Sequence, residues 1–462
     1  MTKILLVYPP FCTPASPPYS LAYLYSFLKN NLSVEHGVNV LDLNIFFHQL
    51  KFPEEQKYFQ QSSWQDYERN TKTFLQLAGA CYSQNNKRVV RGEDPELLSE
   101  LVAEIVTRSP EVVAFSIVYS SQAFYVSALI PKLRALGIKI VIGGPAVNDK
   151  LTKIADAVLK NEVDLLEYVE WEKVEHNNLK TRRVLDFSLF DVKQYFIPEI
   201  ALPLRTSSSC YYQQCSFCTH HGNAKYREYD LEDIKETIVV SNAKHIFFID
   251  DMIPKKRLLE LAALLKPLAV TWMCQLRPTK EFDAETLRVL FNSGLRVVLW
   301  GVESGSDRIL HLMKKGTNQR DITTVLDNAY TVGIKNVLYI MVGFPTENES
   351  EFMETIAFLK ENKKQIDLIS LSTFGLQKDS PMFTKLEDFG IIKVQTTERT
   401  ILEPKIEYAV SSGLTADQLE KLKREHKQFI EKINKFPLQM NYFREHLLCV
   451  LKFNSSFLII QK

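Results

Sequence analysis

Apolar and polar positions alternate in regular blocks along most of this 462-residue chain. In the central part, short runs of β-branched and aromatic residues are separated by amphipathic stretches of helical length. This alternation predicts βα units that assemble into a parallel sheet. The predicted strands are 200–204, 246–249, 270–276, 295–302, 337–342 and 368–374, and the predicted helices are 258–265, 283–293, 319–332 and 349–362.

A second βα region occupies the N-terminal third. Strands are predicted at 3–8, 38–43, 112–118 and 139–142, with a helix at 20–29. Short Gly-, Pro- and Ser-containing turns between these blocks favour a doubly wound sheet, which binds ligands at the carboxyl ends of its strands. Residues 54–108 interrupt this pattern and predict a helical, aromatic insertion that either covers the ligand face or is a plain structural addition.

The C-terminal pattern differs from the rest. Residues 415–435 predict an amphipathic helix with Thr415 as a cap residue. Residues 447–460 are apolar and predict either strands or a packed helix. The predicted division is a domain at 1–172, a linker at 173–199, a domain at 200–389 and a C-terminal region at 390–462 that forms a lid or substrate region.

The net charge of the chain limits the classes of binding partner that it predicts. The chain has 56 Lys and Arg against 55 Asp and Glu, a net charge of +1, which gives no support for a nucleic-acid partner. No apolar run reaches the roughly 20 residues of a membrane span, and the N-terminus lacks the apolar segment of a secretory signal. Seven cysteines without a disulfide-like spacing suit a reducing compartment, so we expect a cytoplasmic protein.

Three of these cysteines carry the strongest chemical signal. Cys210, Cys215 and Cys218 lie within nine residues, just after an apolar run. A closed four-iron cluster needs four thiolates, so three thiolates leave one iron open for chemistry. Two alternatives stay open: the cysteines pack as small apolar residues, or Cys215 and Cys218 bind zinc together with His220 and His221.

The chain resembles the radical S-adenosylmethionine (SAM) enzymes, specifically the branch with an N-terminal cobalamin-binding-type domain. The likeness extends over residues 1–389. The first two cysteines are separated by four residues rather than the commoner three. The motifs that carry the resemblance are Cys210-x4-Cys215-x2-Cys218, Phe248-Ile-Asp-Asp251, Trp300-Gly-Val-Glu-Ser-Gly-Ser306, Met313-Lys-Lys-Gly-Thr317 and Met341-Val-Gly-Phe-Pro-Thr-Glu347.

The resemblance implies an α/β fold in three parts. A doubly wound, Rossmann-like domain of the cobalamin-binding type would be followed by a partial (β/α)6 TIM-type radical SAM barrel and a small, mainly helical C-terminal region. The three cysteines would bind a 4Fe–4S cluster whose open iron holds SAM. The implied SAM-binding residues are Phe217 beside the adenine, Asp250 or Asp251 at the methionyl ammonium, Glu303 at the ribose hydroxyls, and Arg277, Ser304 and Gly343 at strand ends.

Cobalamin is the third cofactor that the resemblance implies. The implied contacts are Ser116, Tyr119, Ser120, Gly143 and Gly144. The chain has no Asp-x-His-x-x-Gly motif to supply a histidine ligand, and residues 159–164 replace the Gly-Glu-Gly-Glu stretch that is common in this branch. Loss of glycines there restricts close approach of the backbone to a ligand.

The expected reaction is reductive cleavage of SAM to a 5′-deoxyadenosyl radical, used for cobalamin-dependent methylation of an unactivated carbon. The substrate would be a peptide or natural-product molecule, and the electron would come from a flavodoxin or ferredoxin. One alternative is a cobalamin-independent epimerase, cyclase or rearrangement enzyme. Another is a non-catalytic metal- or partner-binding protein on the same scaffold.

Overall fold

The computed structural model describes residues 2–33, 36–175, 177, 179–219 and 225–453. The chain forms two compact units. Unit 1 comprises Met1–Ile200, Glu232–Asn242 and Glu398–Pro404, and unit 2 comprises Ala201–Leu231, Ala243–Thr397 and Lys405–Lys462. The predicted linker at 173–199 therefore lies within unit 1.

Unit 1 contains a parallel sheet of five strands in the order β2-β1-β3-β4-β5. Register is set by buried apolar residues, and Val7 pairs with both Leu41 and Phe115. This order is that of a doubly wound sheet, as the sequence predicts. The strands are β1 (Lys3–Tyr8), β2 (Gly37–Asp42), β3 (Val112–Ser116), β4 (Lys139–Gly143) and β5 (Ala157–Leu159).

The helices of unit 1 include the predicted insertion. Four of its aromatic residues are buried, and the rings of Phe59 and Phe74 contact that of Phe196 from the predicted linker; the four are Phe59, Trp64, Tyr67 and Phe74. The insertion therefore contributes aromatic side chains to the hydrophobic core of unit 1. The helices are α1 (Tyr19–Asn31), α2 (Leu43–Lys51), α3 (Pro53–Phe59), α4 (Tyr67–Val90), α5 (Leu98–Val106), α6 (Ala123–Ala135), α7 (Asp149–Thr152), α8 (Glu162–Glu170) and most of α9 (Leu231–Val240).

Unit 2 contains a parallel sheet of six strands in sequential order from β6 to β11. Sequential order and parallel pairing are the topology of a partial (β/α)6 barrel, so all strands end at the same edge. The mixed α/β fold with two parallel sheets is confirmed. The strands are β6 (Ala201–Leu204), β7 (His245–Phe248), β8 (Thr271–Leu276), β9 (Leu295–Glu303), β10 (Lys335–Val342) and β11 (Leu368–Thr373).

Most helices of unit 2 begin and end at the residues that the sequence marks. Asp283 caps α11 by accepting a hydrogen bond from the Thr286 amide, and Gly333 ends α13 in the left-handed region. Helix α12 was not among the predicted elements. The helices are α10 (Lys255–Leu265), α11 (Ala284–Asn292), α12 (Asp307–Leu312), α13 (Gln319–Val332) and α14 (Glu349–Glu361).

The C-terminal part of unit 2 is helical and also contains an antiparallel hairpin, formed by β12 (Ile391–Thr397) and β13 (Lys405–Val410). Helix α15 (Ala416–Ile433) is the predicted amphipathic helix, capped by Thr415. Helix α16 (His446–Phe453) packs against β8 and β9, and the remainder of the predicted 447–460 element lies outside the described residues. Across the described ranges, no helix has the length and apolar character needed to cross a membrane.

Candidate functional site

The three cysteines lie on the loop that follows β6. Cys215 is buried, Cys210 and Cys218 are partly buried, and none of the three is in a disulfide. Burial raises the pKa of the Cys215 thiol, and the positive charge of Lys315 opposes that rise. His220 and His221, the candidate zinc ligands, lie outside the described residues.

Asp250, just past β7, anchors the beginning of this loop. Both of its carboxylate oxygens accept a hydrogen bond from the Thr206 amide at 2.9 Å. The hydroxyls of Thr206 and Ser207 donate to Oδ1 at 3.0 and 2.9 Å. Burial raises the pKa of Asp250, and these hydrogen bonds counteract the rise. One of the two carboxylates predicted to hold the SAM ammonium is therefore engaged with the cysteine loop itself.

The middle of the loop is held by the turn after α12. The Ser216 amide donates to the Met313 carbonyl at 3.0 Å, and its hydroxyl donates to the Leu312 carbonyl at 2.9 Å. The Tyr212 hydroxyl donates to the Lys314 carbonyl at 2.8 Å. The segment that carries the cysteines is thus held at its beginning and at its middle.

Glu303, at the end of β9, forms a buried ion pair. Its Oε1 lies 2.8 Å from Nζ of Lys315, and both side chains are buried. The backbone of Glu303 has a φ of +69°, a conformation uncommon for residues other than glycine, and such strain concentrates at functional sites. Burial alone would lower the pKa of Lys315, but the negative charges of Glu303 and Cys215 hold it above its usual value.

Arg277, just past β8, completes the charged group. Its Nη1 donates to the Lys315 carbonyl at 3.0 Å, and its guanidinium carbon lies 3.6 Å from the centroid of the Tyr212 ring. Within the described part of the chain, its Nε is buried and has no hydrogen-bond acceptor. An unsatisfied guanidinium nitrogen suits an anionic ligand group.

Two predicted SAM-binding residues face their own chain. The Ser304 hydroxyl accepts from the Ser306 amide at 3.0 Å and lies 3.3 Å from Oγ1 of Thr355. Gly343, at the end of β10, has a φ of +76°, and its amide donates to a carboxylate oxygen of Glu347. These contacts shape the turns after β9 and β10.

The remaining two predicted residues are more open. Asp251 is partly exposed, with Oδ2 3.7 Å from a guanidinium nitrogen of Arg205. Phe217 is partly buried against an apolar cluster that includes Met313 and Phe344, and its ring centroid lies 5.9 Å from Nζ of Lys315. Roles in binding SAM stay predictions for all seven residues.

The donor set fits a 4Fe–4S cluster. Across the described residues, no three His, Cys, Asp or Glu side chains are arranged to hold a single metal ion. A 4Fe–4S cubane requires a different arrangement of ligands, because each cysteine binds a different iron. Three cysteine thiols on one anchored loop, beside the buried ammonium group of Lys315, match an anionic cluster with one open iron.

The corresponding edge of the sheet in unit 1 is lined differently. The Ser116 hydroxyl donates to that of Ser20 at 2.8 Å, Ser120 begins a short 3-10 turn, and Tyr119 is 56% exposed. Gly144 has a φ of +114°, and a Cβ there would lie 2.3 Å from the Ile117 carbonyl oxygen. The predicted cobalamin contacts therefore lie along one strand edge, where the chain comes into close contact with itself.

Gln122 organises this edge and was not predicted from the sequence. Its side-chain oxygen accepts from the amides of Val118 and Tyr119 at 2.7 and 2.9 Å. Its side-chain nitrogen donates to the Pro9 carbonyl at 2.8 Å. One fully buried amide thus joins the ends of β1 and β3.

Lys315 and Tyr212 were also missed as site residues. Lys315 belongs to the Met313-Lys-Lys-Gly-Thr317 motif that supported the family resemblance, but the motif alone does not say which lysine is buried. Gly316, in the same motif, is the residue of the sequence that indicates a close contact at this turn. It has a φ of +65°, and a Cβ there would lie 2.3 Å from the Tyr212 hydroxyl oxygen.

Comparison with known proteins gives matches to both units. The family model described as "Radical SAM superfamily" matches residues 205–359. An uncharacterized methyltransferase of Pyrococcus horikoshii is 23% identical over 331 residues, which cover 62% of this chain and 72% of that protein. Bacteriochlorophyllide d C-12(1)-methyltransferase of Chlorobaculum tepidum is 27% identical over 185 residues, 38% of this chain and 40% of that protein.

Solved structures match the fold of nearly the whole chain. The radical SAM methyltransferase TsrM from Kitasatospora setae, with tryptophan and a SAM analogue bound, matches with a TM-score of 0.63 and 15% identity, covering 93% of this chain and 89% of that one. The cobalamin-dependent SAM radical enzyme OxsB matches with a TM-score of 0.62 and 14% identity, covering 94% and 67%. A radical SAM domain implies SAM and a 4Fe–4S cluster as cofactors. Residues 205–359 of the chain therefore form a radical SAM domain, and the fold of the chain is that of the radical SAM enzymes TsrM and OxsB.

Proposed function

We propose that this enzyme binds a 4Fe–4S cluster through Cys210, Cys215 and Cys218 and cleaves SAM reductively to start radical chemistry. When bound and reduced, such a cluster supplies the electron that breaks a carbon–sulfur bond of SAM. The observation that carries the proposal is the anchored cysteine loop beside the Glu303–Lys315 ion pair. That arrangement pre-organises the ligands and needs little rearrangement on loading.

The charged residues at the strand ends would bind SAM. Glu303 would accept hydrogen bonds from ribose hydroxyls, and the unsatisfied Nε of Arg277 would face an anionic group. Asp251 is better placed than Asp250 to receive the methionyl ammonium, since Asp250 is engaged with Thr206 and Ser207. Phe217 would pack near the adenine. Ser304 would shape the turn that presents Glu303.

We further propose that unit 1 binds cobalamin and that the reaction is methylation of an unactivated carbon in a peptide or natural-product substrate. Cobalamin, when bound, supplies a transferable methyl group. The fold match and the strand-edge position of Ser116, Tyr119, Ser120, Gly143 and Gly144 support this. The electron donor would be a flavodoxin or ferredoxin.

One observation favours a second candidate, radical chemistry without cobalamin. In the turn after β5, Asn161 accepts hydrogen bonds from the amides of Val163 and Asp164, and Asp164 accepts one from the Lys160 amide. The amides of this turn are therefore satisfied by the chain itself rather than open to a ligand. An epimerase, cyclase or rearrangement enzyme would need only unit 2 for its cofactors.

Anaerobic purification with iron, sulfide and hydroxocobalamin tests these proposals together. We expect four irons per chain, release of 5′-deoxyadenosine from SAM after reduction, and the visible spectrum of bound cobalamin. SAM cleavage without retained cobalamin would favour the second candidate. Zinc in place of iron, or SAM that stays intact with the reduced protein, would contradict the radical function and favour a non-catalytic binding protein.

A further inference from the structure

A buried lysine lies beside the cysteine loop. The side chain of Lys315 is only 3% exposed, and its Nζ lies 2.8 Å from Oε1 of Glu303. Lysine is almost never fully buried unless it is paired. Removing both ions from water costs several kcal/mol, and apolar residues of similar volume often stabilise a fold as well or better. The pair therefore points to a role in which charge is needed.

The surrounding backbone is shaped around this pair. A Cβ at Gly301 would lie 2.8 Å from Nζ of Lys315 and 3.0 Å from Oε1 of Glu303, so any larger residue there would require the pair to shift. The Lys315 carbonyl accepts from Arg277, which packs on the ring of Tyr212. The position of the ammonium group is thus determined by several independent contacts.

The ammonium group also acts on the cysteine loop. Ser216, between Cys215 and Phe217, is hydrogen-bonded to the turn that carries Lys315. Nζ lies 5.9 Å from the centroid of the Phe217 ring, and Phe217 lies between Cys215 and Cys218 in the loop, so a positive charge is held close to two of the three cysteines. A cation that favours negative charge on a cluster ligand also favours the electron that a cluster gains on reduction.

We propose that Lys315 is a positioning residue with two effects: its ammonium group holds Glu303 ready for SAM, and it makes the cluster easier to reduce. The inference rests on the proposed function. One electron passes from the external flavodoxin- or ferredoxin-type donor, which is oxidised, to the cluster, which is reduced. The charge of Lys315 raises the reduction potential of that step.

The test is a redox titration of the reconstituted cluster, followed by electron paramagnetic resonance, in Lys315→Met, Lys315→Arg and the wild-type protein. Lys315→Met should shift the potential to more negative values and weaken SAM binding about tenfold, the loss expected for one charge-assisted hydrogen bond. Lys315→Arg keeps the charge and should restore most of the potential.

Lys314→Met is the matched control. Lys314 is the adjacent lysine, and its side chain is exposed, so the same loss of formal charge should change neither the potential nor SAM binding. An unshifted potential in Lys315→Met, or an equal shift in Lys314→Met, would overturn the proposal.

If Lys315→Met loses its cluster because Glu303 is left unpaired, a second pair of variants tests the same inference. Glu303→Gln and the double variant Glu303→Gln/Lys315→Met differ only in the lysine charge, next to a neutral partner. The double variant should have the more negative potential, and equal potentials would reject the inference. Failure of the wild-type protein to bind iron would instead reject the proposed function.

Discussion

The edges formed by the carboxyl ends of the strands differ in chemical character between the two parallel sheets. In unit 2 the edge carries buried charges: Asp250 under the cysteine loop, and Glu303 paired with Lys315 beside Arg277. In unit 1 a neutral group, the side-chain amide of Gln122, joins the ends of β1 and β3. Similar βα architecture therefore supports two different kinds of site.

The difference shows where each edge obtains its binding energy. Buried charges in a low dielectric interact strongly with small ionic ligands, which suits SAM and an anionic cluster. An edge of satisfied neutral groups and close backbone contacts would bind through shape and apolar area, which suits a large, mostly uncharged surface. If this contrast is correct, charge substitutions should damage unit 2 and steric substitutions should damage unit 1.

The largest effect is expected for Asp250→Asn. The side-chain amide would place an NH₂ group against the Thr206 amide, where Oδ2 now accepts a hydrogen bond, so the buried anchor of the cysteine loop would contain a donor–donor contact. We expect iron per chain to fall at least tenfold and the free energy of unfolding to fall by about 3 kcal/mol. Iron analysis after reconstitution and chemical unfolding measure these effects.

Asp251→Asn is the control for that variant, because Asp251 is adjacent but partly exposed. Its iron content should equal that of the wild type. Equal iron content in Asp250→Asn would show that the loop does not depend on its buried carboxylate.

A pH-dependent loss of stability is expected from Glu347, at the same edge. Burial raises its pKa to about 7 from an ordinary value of 4.5. Because the folded state holds this proton more tightly, the unfolded state binds fewer protons between pH 4.5 and 7, and the free energy of unfolding falls as pH rises. Across this window the loss is about 3 kcal/mol.

Glu347→Gln removes this titration. Chemical unfolding at pH 5 and pH 8 should therefore show a larger loss in the wild type than in Glu347→Gln. Glu349→Gln, at an exposed position, should behave as the wild type does. Parallel pH dependence in the wild type and Glu347→Gln would mean that Glu347 is ionised throughout the range.

In unit 1, Gly144→Ala should lower the free energy of unfolding by about 2 kcal/mol. The alanine Cβ would meet the Ile117 carbonyl oxygen at a positive φ, so strain adds to the clash. Gly143→Ala is the matched control, since its Cβ would lie 3.1 Å from the Leu159 carbonyl oxygen without a positive φ. If thermal unfolding shows that Gly143→Ala lowers the stability more than Gly144→Ala does, the strand edge at Gly144 is not rigid.

The fourth prediction concerns SAM affinity in Glu303→Ala, a variant that also leaves the buried ammonium group of Lys315 unpaired and is therefore measured on folded, iron-loaded protein. Loss of its hydrogen bonds to SAM should weaken binding about tenfold in calorimetry with the reconstituted protein. Ser304→Ala should leave the affinity close to that of the wild type, because the Ser304 hydroxyl contacts Ser306 and Thr355. Unchanged SAM affinity in Glu303→Ala would reject its assignment.

Much of the fold could be predicted because buried strands leave a strong local pattern. The predicted strands of the second sheet agree with β6 to β11 to within two residues at each end. Helix α12 was missed because its six residues are too short for a clear period. The β12–β13 hairpin was missed because nearly all of its residues are exposed or partly exposed, so it lacks a continuous buried apolar run.

The candidate site was predictable in its composition and less so in its geometry. The three cysteines, the acidic strand end and Glu303 stand out in the sequence. The sequence does not show which residue of a neighbouring pair is buried. Asp250 is buried and Asp251 is partly exposed, while Lys315 is buried and Lys314 is exposed. Each pair consists of identical residue types, so local propensity gives no preference between its members.

The sequence by itself determined the order of strands and helices, the spacing of the thiols and the near-balance of charge, because these depend on residues close together in the chain. Only the tertiary structure decided which carboxylate anchors the loop and which lysine pairs with Glu303. Those choices depend on partners far along the chain, such as Thr206, which lies 44 residues from Asp250. Burial of a charge is stable only where such partners meet.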